Sequence, residues 1–548
     1  MPGWLKIGAG VLVAFAALAL LAKDYVLLRL PGWMMPPVYE NRPVAWQKGP
    51  AVAKAPAGER PPNIILIVAD DLGYNDISLN GGGVANGLLK TPNIDAIARE
   101  GAVFSNSYAG NATCAPSRAA LMTGRYPTRF GFEFTPTDVR FARTIAGFPS
   151  DSPNKPIFDE DAAAKAPDHE AKGVPSAEIT IAEVLRGHGY HTLHLGKWHL
   201  GGASGMRPED QGFDESLGFI IGGQMFLPED DPDVVNAKQD FDPIDKYLWA
   251  NLPFSVQYNG GERFHPDIYM TDYLTREAIS AIEANRNRPF FMYLAYNAPH
   301  TPLQALKSDY EALSAIKDHR TRVYAAMIRA LDRGVGEVMA ALKARGLDEN
   351  TLIIFTSDNG GAHYIGLPDI NRPYRGWKAS FFEGGIKMPM FMRWPAGIPA
   401  GSRVDGAVSH FDLFTTAAAA ARAAVPADRP LDGVNLLQAL ADGRVGNREA
   451  LFWRSGAYRV VQAGEWKLQV LMKPEMSLLF NLREDPTERR NVAAMHPDVV
   501  ARLTALLAEQ DRKGIAPAWP ALVHTAIPID RPLGVPPRPG EAHAYWSN

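Results

Sequence analysis

The sequence predicts an α/β fold: a large mixed, mainly parallel sheet flanked by helices, followed by a smaller antiparallel sheet with a helix. Asn63–Ala69 is a continuous apolar run without alternation, which indicates a strand buried on both faces. Further runs of this kind alternate with helical periodicity, and short strands with tight turns follow residue 443. With 46% hydrophobic and 21% charged residues, the composition is that of a folded protein.

The first 30 residues contain an uninterrupted apolar run from Ile7 to Ala22, between Lys6 and Lys23. The run is slightly long for a signal-peptide core and slightly short for a span of about 20 residues. A cleaved secretion signal and an uncleaved N-terminal membrane anchor both fit. Either one predicts an exported protein, periplasmic or secreted, and the anchor would add membrane contact. Residues 31–62 are rich in Pro, Ala and Gly and are predicted to be a linker.

The first strand ends at two adjacent carboxylates, Asp70 and Asp71. They would repel each other unless a cation neutralised them. A solvated turn with an N-cap aspartate is the plain alternative. Ligands of open α/β sheets bind at the carboxyl ends of strands, so the location favours a metal.

Thr91 and Pro92 predict the N-cap and first residue of the next helix. Residues 131–175 are polar and carry several prolines, which indicates an irregular surface rim. Thr180 and Glu183 form a capping box that opens another helix.

A strand is predicted over 190–195, which leaves Lys197 and His199 on the loop beyond it. His191 and His194 are interpreted as packed or surface strand residues. The next helix is predicted over 272–285, and a strand over 290–295 leads to His300.

A long helix is predicted over 320–345, and the strand after it, 351–356, ends before Asp358 and Asn359. A short strand near 389–393 and an alanine-rich helix after 409–415 complete a main domain over 63–442. Residues 443–548 are predicted to form the antiparallel subdomain, with a helix near 497–512 and a proline-rich tail.

Cys114 is the only cysteine, so an intrachain disulfide is excluded. A lone thiol is a liability in an exported protein, because oxidising compartments couple or oxidise it. A buried cysteine acting as a small hydrophobe is the alternative. Its polar neighbours Thr113, Ser117 and Arg118 disfavour that reading.

Asp70, Asp71, Asp358 and Asn359 offer hard oxygen ligands at predicted strand ends. No His/Cys cluster has zinc spacing, so Ca²⁺ or Mg²⁺ is the expected metal. The net charge of −4 is small and mixed in sign, which gives no reason to expect nucleic acid as a partner.

Cys114 begins the pattern C-A-P-S-R, and T-G-R follows at Thr123–Arg125. Other blocks read A-D-D-L-G, G-K-W-H-L-G, A-P-H, S-D-N-G-G, W-K…E-G-G and L-F-N-L-R-E-D-P-T-E. Together they resemble the formylglycine-dependent type I sulfatase family of the alkaline phosphatase superfamily, from Asn63 to about Asn491. The order of the blocks is similar to that of arylsulfatases and N-acetylgalactosamine-4-sulfatase-like enzymes.

The resemblance implies an alkaline phosphatase-like catalytic domain at 63–442 and conversion of Cys114 to formylglycine by a formylglycine-generating enzyme before folding. It implies Ca²⁺, with Mg²⁺ or Mn²⁺ as alternatives, held by the four oxygen ligands and an oxygen of modified Cys114. By the same resemblance, Arg118 and His199 orient the formylglycine hydrate, Lys197 and Lys378 hold the sulfate, and His300 protonates the leaving oxygen.

The expected activity is hydrolysis of sulfate esters, with an aryl sulfate or a sulfated carbohydrate as substrate. A phosphodiesterase or phosphonate monoester hydrolase of the same superfamily is one alternative, and a non-catalytic calcium-binding recognition protein is another. The rim at 131–175 and four further side chains are candidates for selecting the organic part of the substrate: Asn75, His363, Tyr364 and Trp377.

Overall fold

The computed structural model describes residues 25–548 except 27, 57–58, 82, 149–153, 447 and 473–474. Its strands are β1 Asn63–Ala69, β2 Ala102–Phe104, β3 Ser107–Tyr108, β4 Ile157–Phe158, β5 His191–Lys197, β6 Glu215–Phe219, β7 Val234–Ala237, β8 Gln257–Tyr258, β9 Phe290–Ala295, β10 Leu303–Leu306, β11 Thr351–Ser357, β12 Met390–Arg393, β13 Ser402–Val404, β14 Val408–Ser409, β15 Leu451–Ser455, β16 Tyr458–Ala463, β17 Trp466–Met472, β18 Glu475–Asn481, β19 Val523–Pro528 and β20 His543–Ser547.

Its helices are α1 Val84–Gly87, α2 Pro92–Arg99, α3 Cys114–Thr123, α4 Val139–Gly147, α5 Glu160–Ala163, α6 Ile181–Gly187, α7 Pro243–Asn251, α8 Met270–Asn285, α9 Lys307–Ala312, α10 His319–Ala344, α11 Glu383–Ile386, α12 Asp412–Ala420, α13 Leu436–Asp442 and α14 Pro497–Lys513. The apolar run at 7–22 lies outside the described residues. In the described part of the chain, no helix is both long and apolar enough to cross a bilayer.

The main sheet has nine strands in the order β13-β2-β12-β11-β1-β9-β5-β6-β8. The run from β11 through β1, β9 and β5 to β6 is parallel, whereas β12 and β8 pair antiparallel with their neighbours. This arrangement confirms the predicted mixed, mainly parallel sheet. The carboxyl ends of β11, β1, β9 and β5 therefore meet at one edge of the sheet.

The central strand β1 is covered on both faces. Ile65 and Ile67 pack into one apolar cluster, and Ile64, Leu66 and Val68 pack into the other. Alternate residues of a strand point to opposite faces, so an apolar residue is required at every position. The uninterrupted apolar run is thus a direct consequence of this double covering.

The smaller C-terminal sheet is an antiparallel meander of β15, β16, β17 and β18, as predicted. Helix α14 covers it by packing Leu503 and Leu507 against Val461, Leu468 and Leu479. The spacing of four between the two leucines places both on one helix face.

Two local boundaries differ from the prediction. Strand β5 does not end at residue 195, because its pairing with β6 continues to Lys197, opposite Phe219. Helix α2 begins at Pro92 as expected, but the Thr91 side chain does not cap it. Thr91 Oγ1 instead donates to Asp95 Oδ1 at 3.0 Å and accepts from the Ser78 backbone N–H at 2.8 Å.

The rim and the tail are more ordered than predicted. Residues 131–175 contain helix α4, whose N-cap Asp138 accepts from the backbone N–H groups of Arg140 and Phe141. The proline-rich tail contains β19 and β20, which pair with each other, and β19 also pairs with β4 of the rim. The pairing of β19 with β4 could not be predicted from local sequence, because its backbone hydrogen bonds join segments more than 360 residues apart.

Candidate active site

Cys114 is the first residue of helix α3, directly after the extended Thr113, and is only 4% exposed. Pro116 is tolerated because it lies in the first turn of the helix. The helix ends at Gly124, whose φ of 68° is left-handed. A Cβ at that glycine would lie 2.7 Å from Phe414, so packing as well as conformation favours glycine there.

Arg118 lies one helical turn after Cys114 and is fully buried. Its Nε donates to Asp358 Oδ2 at 2.9 Å, and its Nη2 forms ion pairs with Asp358 Oδ2 at 2.8 Å and with Asp70 Oδ1 at 3.6 Å. Burial raises the pKa of Asp358, but Arg118 and nearby lysines outweigh it and hold the pKa below its ordinary value. Arg118 thus fixes two of the predicted metal ligands.

Lys197 is the last residue of strand β5 and is fully buried. Its Nζ donates to both carboxylate oxygens of Asp70, at 2.7 Å and 3.0 Å. Burial raises the pKa of Asp70 to about 7, although Lys197 opposes this shift.

Lys378 has the equivalent relationship to Asp71, with Nζ 2.8 Å from its carboxylate. The same Nζ donates to the hydroxyl of Tyr364 at 3.2 Å and lies 3.4 Å from His300 Nε2. Burial opposes the charge on Lys378, but Asp71 together with other nearby acidic groups outweighs burial and raises the pKa of the lysine well above its ordinary value. Lys378 therefore stays cationic inside the site.

The imidazole of His300 is oriented by a hydrogen bond to the backbone carbonyl of the next residue. Its Nδ1–H donates to the carbonyl of Thr301 at 2.5 Å, which leaves Nε2 facing Asp71 Oδ2 at 3.6 Å. Burial lowers the pKa of His300, but Asp70 and Asp71 outweigh burial and raise it above its ordinary value. Nε2 can therefore carry a proton toward a bound substrate.

The donor set fits a divalent cation. One ligand atom from each of Asp70, Asp71, Cys114 and His300 lies within 4.8 Å of the others. Asn359 Oδ1 is buried and has no hydrogen-bond partner among the described residues, while its Nδ2 donates to Asp71 Oδ1 at 2.6 Å. A buried orphaned amide oxygen costs free energy unless a ligand satisfies it. This group of four ligand atoms includes His300, which was not a predicted metal ligand, and does not include the predicted ligand Asp358. The carboxylate of Asp358 faces Arg118.

The Cys114 thiol is electrostatically activated. Burial alone would raise its pKa, but the ammonium groups of Lys197 and Lys378 outweigh burial and lower the pKa to about 6. A thiol in such surroundings is a reactive group rather than an inert core residue.

His199 lines the same cavity as Cys114, but within the described residues no hydrogen bond joins it to the other site residues. Burial and then Lys197 lower its pKa well below the ordinary value, so the imidazole is neutral. Its φ is 60°, and Asp71 and Ala379 are also left-handed, at 61° and 63°. Such conformations cost about 1–3 kcal/mol each and cluster at functional sites.

The structure brings three further side chains to the site that sequence reasoning did not assign to it. Ser117 Oγ donates to the carbonyl of Asp358 at 2.6 Å and lies 3.0 Å from Nδ1 of the buried His410. The hydroxyl of Tyr293 accepts from Arg118 Nη1 at 3.0 Å. A tyrosine in a doubly covered strand was the available signal, because its hydroxyl needs a buried partner.

A cavity of about 1140 Å³ opens above Cys114. His300, Lys378, Tyr364 and His363 contribute to its lining, as do residues of the rim at 131–175. Asn75 and Trp377 do not line it. Tyr364 also donates to Asp71 Oδ2 at 3.1 Å, so it belongs to the charged cluster as well.

Comparison with known proteins agrees with this geometry. The Sulfatase family model matches residues 62–423, and the model "N-sulphoglucosamine sulphohydrolase, C-terminal" matches residues 376–513. N-acetylgalactosamine-6-sulfatase of Homo sapiens is 30% identical over 545 residues, which cover 90% of this chain and 96% of the relative. Steryl-sulfatase of Mus musculus is 32% identical, over 76% of this chain and 71% of the relative.

Among solved structures, that of Ps i-CgsB in complex with k-i-k-neocarrahexaose superimposes with a TM-score of 0.69 at 33% identity. The match covers 84% of this chain and 95% of the other. The block order was similar to that of arylsulfatases and N-acetylgalactosamine-4-sulfatase-like enzymes, and the relatives include N-acetylgalactosamine-6-sulfatases. The chain belongs to the sulfatase family and is a sulfuric ester hydrolase with an alkaline phosphatase-like fold.

Proposed function

We propose that the chain hydrolyses sulfate esters with a formylglycine hydrate, made from Cys114, as the nucleophile. The observation that carries the proposal is the position of this cysteine. It lies buried at a helix start, close to the Asp70–Asp71 pair and influenced by the charges of Lys197 and Lys378, in a site whose donor atoms suit a divalent cation. A formylglycine-generating enzyme is the partner that this maturation requires.

We propose Ca²⁺ as the metal, with Mg²⁺ or Mn²⁺ as alternatives. Asp70, Asp71, Asp358 and Asn359 would hold it, and the orphaned Asn359 Oδ1 supports an oxygen-binding ion. When bound, the ion would neutralise charge on the sulfate oxygens. Once Cys114 is converted, the set contains no thiol, which removes the strongest reason to expect zinc.

The basic residues would bind the sulfate, orient the nucleophile and protonate the leaving oxygen. Lys197 and Lys378 would hold the sulfate oxygens, since both ammonium groups lie buried beside the metal-binding carboxylates. A sulfate ester resists attack because its oxygens are already negative, and preorganised cations offset that charge. Arg118 and His199 would orient the nucleophile, and His300 Nε2 would protonate the leaving oxygen.

The aldehyde hydrate supplies two hydroxyls, one to attack sulfur and one whose deprotonation releases sulfate by C–O cleavage. A serine at residue 114 would lack the second hydroxyl and would retain the sulfate. Conversion of the cysteine therefore explains how turnover continues without water attacking a second sulfate ester.

The organic part of the substrate is an aryl group or a carbohydrate in this proposal. The names of the relatives include an N-acetylgalactosamine-6-sulfatase and a steryl-sulfatase, and the Ps i-CgsB structure holds an oligosaccharide. We also propose export to the periplasm or outside the cell, by a signal or membrane anchor within residues 1–30. A lone cysteine reserved for conversion suits that location.

The rival activities are phosphodiester and phosphonate monoester hydrolysis with the same nucleophile. Turnover of an aryl sulfate, an aryl phosphate diester and an aryl phosphonate monoester on one preparation separates them. We expect the sulfate to be preferred by orders of magnitude, and the opposite order would refute a sulfatase assignment.

Mass spectrometry of the Cys114 peptide tests the nucleophile and also the alternative of a non-catalytic calcium-binding protein. Natively produced, active protein is expected to carry formylglycine at residue 114. Only unmodified cysteine in active protein would refute the mechanism, and formylglycine in a protein that hydrolyses no ester would favour a recognition role.

A further inference from the structure

The cavity above Cys114 is larger than a sulfate group or a single sugar requires. Its volume of about 1140 Å³ exceeds the roughly 300–1,000 Å³ of typical small-molecule sites. Three parts of the fold supply its walls: the segment of helix α4 with Phe148, helix α7, and strand β19 with the loop after it. Most of the organic part of a substrate would therefore be enclosed.

The walls are mainly apolar. Aromatic and aliphatic side chains come from all three parts, among them Phe141, Tyr247, Leu248, Leu252, Ile527 and Leu533. The rings of Phe141 and Tyr247 pack edge to face with centroids 4.8 Å apart, which fixes two of these walls against each other.

The apolar surface begins beside the proposed general acid. A Cβ on Gly223 would lie 3.5 Å from His300 Nδ1 and 3.6 Å from Leu252 Cδ1, so these two side chains flank the same point. Leu252 thus lies near His300 on the Nδ1 side of its ring, within the wall of the same cavity.

Among the described residues that line the cavity away from the catalytic cluster, arginines and lysines do not outnumber carboxylates. Arg140, Lys246 and Arg531 accompany Asp138, Asp240, Asp242 and Glu541. Histidines also line the cavity, and burial lowers the pKa of two of them, His169 and His363. Arg531 is also held by Glu541, with Nε–Oε2 and Nη2–Oε1 distances of 2.8 Å and 2.7 Å. A polysulfated chain would need additional cations for its further sulfates, and this lining does not supply them.

An exposed apolar segment lies at the cavity mouth. Met34 lines the cavity and is 62% exposed, and the neighbouring Trp33 is 61% exposed. Asn251 of helix α7 ties this segment down by accepting from the Gly32 N–H at 2.7 Å and donating to the Leu28 carbonyl at 2.8 Å. A hydrophobic molecule would meet compatible surface before it enters.

We infer that the substrate carries one sulfate on a large, mostly apolar body, such as a fused-ring or long-chain alcohol or phenol. This inference rests on the proposed sulfate-ester hydrolysis and narrows its organic part. The sulfate would lie against Lys197 and Lys378, and the apolar body would fill the cavity between α4, α7 and β19.

The test is a series of 4-alkylphenyl sulfates with tails from ethyl to octyl, assayed below their micelle concentrations with the full chain. The leaving-group pKa stays nearly constant along this series, so changes in kcat/KM report on the cavity. We expect kcat/KM to rise by about three- to fourfold per enclosed methylene until the cavity is full. N-acetylgalactosamine 6-sulfate serves as the polar comparison and is expected to be the poorer substrate.

Leu248→Lys places a charge on the cavity wall formed by helix α7. The increase in kcat/KM per methylene is then expected to fall to below about twofold. Val425→Lys introduces the same charge at a 42% exposed site that does not line the cavity, and it should keep the wild-type gain. Unchanged melting temperatures show that both variants fold, and Leu252→Gln replaces Leu248→Lys if the latter does not.

The outcomes separate this inference from the proposed function. Turnover of the ethyl compound with a flat or falling series, as expected if another segment or a second copy fills the cavity, overturns the inference alone. A sugar sulfate that outperforms the octyl compound also overturns it. Failure to hydrolyse any sulfate ester refutes the proposed function and the inference together.

Discussion

At the scale of single residues, the site pairs each buried cation with a buried carboxylate. Arg118 pairs with Asp358, Lys197 with Asp70 and Lys378 with Asp71. Each pair is stable only while both partners remain, since a single buried charge costs several kcal/mol. In the proposed mechanism, a dication and a sulfate-ester monoanion would add charges of opposite sign to this set, and each would offset part of the cost of burying the other.

Cys114→Ser is expected to abolish multiple turnover while the melting temperature stays within about 1–2 °C of wild type. The exchange of sulfur for oxygen is small, but an unoxidised serine has a single hydroxyl and no gem-diol. Rate and thermal unfolding are measured on the same preparation, with Thr113→Ser as a neighbouring control. Sustained turnover by Cys114→Ser would contradict the proposed nucleophile.

We expect deprotonation of His300 to cause the fall of kcat on the alkaline side (the alkaline limb) of the pH–rate profile. Because its pKa is raised, the imidazolium acid is present below that pKa and is lost as pH rises through it. His300→Gln should therefore lower kcat by about 10²–10⁴-fold and remove the limb. The loss should be smaller for 4-nitrophenyl sulfate than for an alkyl sulfate, because nitrophenolate leaves without protonation. An unchanged limb in the variant would exclude this role.

The sequence located the site's charged side chains because they follow buried strands or lie in short, dense motifs. Asp70, Asp71 and Asp358 come directly after apolar runs whose ends meet at one sheet edge. The contacts of Ser117 with His410 could not be predicted, since they join residues 293 positions apart and depend on the packing of α3 against the loop before α12.

At the scale of secondary-structure elements, the sequence pattern predicted an element well where the strand is buried on both faces or where the stabilising contacts join nearby residues. Strand β1 needs apolar residues on both faces, and helix α6 carries a complete capping box at Thr180 and Glu183. The pairing of β19 with β4 left no local pattern, because edge-strand hydrogen bonds are made by the backbone and accept many side chains.

In strand β5, His191 is expected to make a contribution to the free energy of unfolding that depends on pH. His191 lies 3.3 Å from Asp214 and 2.7 Å from Glu215, whose hydrogen bonds outweigh burial and raise its pKa. A raised folded-state pKa stabilises the fold fully below the unfolded value of about 6.5, and this contribution disappears as pH rises through the folded pKa.

His191→Gln should therefore lower the free energy of unfolding more at pH 6 than at pH 9, by roughly 1 kcal/mol. Urea unfolding at the two pH values measures the difference. The same change at His188, which is exposed, is the control. Equal losses at both pH values would show that His191 contributes by packing alone.

At the scale of the whole molecule, a buried ionic cluster joins the C-terminal sheet to the main domain. Lys467 of β17 lies 2.9 Å from Glu383 of α11 and 3.0 Å from Glu488. Tyr108 of β3 bonds to the same Glu383 at 3.1 Å and accepts from Gln462 Nε2 at 3.1 Å. The C-terminal sheet and the main domain are thus connected by charge as well as by apolar packing.

Lys467→Met should destabilise the protein by about 3–5 kcal/mol, because it leaves Glu383 and Glu488 buried without their shared cation. Denaturant unfolding measures the change. Lys513→Met is the matched control: Lys513 is paired with Glu509 at 2.8 Å on an exposed helix surface, so its loss should cost less than about 1 kcal/mol. Equal effects of the two substitutions would refute the importance of the buried cluster.

In the proposed maturation, Cys114 would have to be converted during synthesis, before the fold buries it. The first turn of α3 is held by Asp358, just after β11, and Ser357 emerges 243 residues after Cys114. At about 5–20 residues per second, the cysteine stays accessible for roughly 12–50 s before the sheet can close over it. Chains that miss this interval would fold identically but remain inactive, so the active fraction would depend on how fast the converting enzyme works relative to translation.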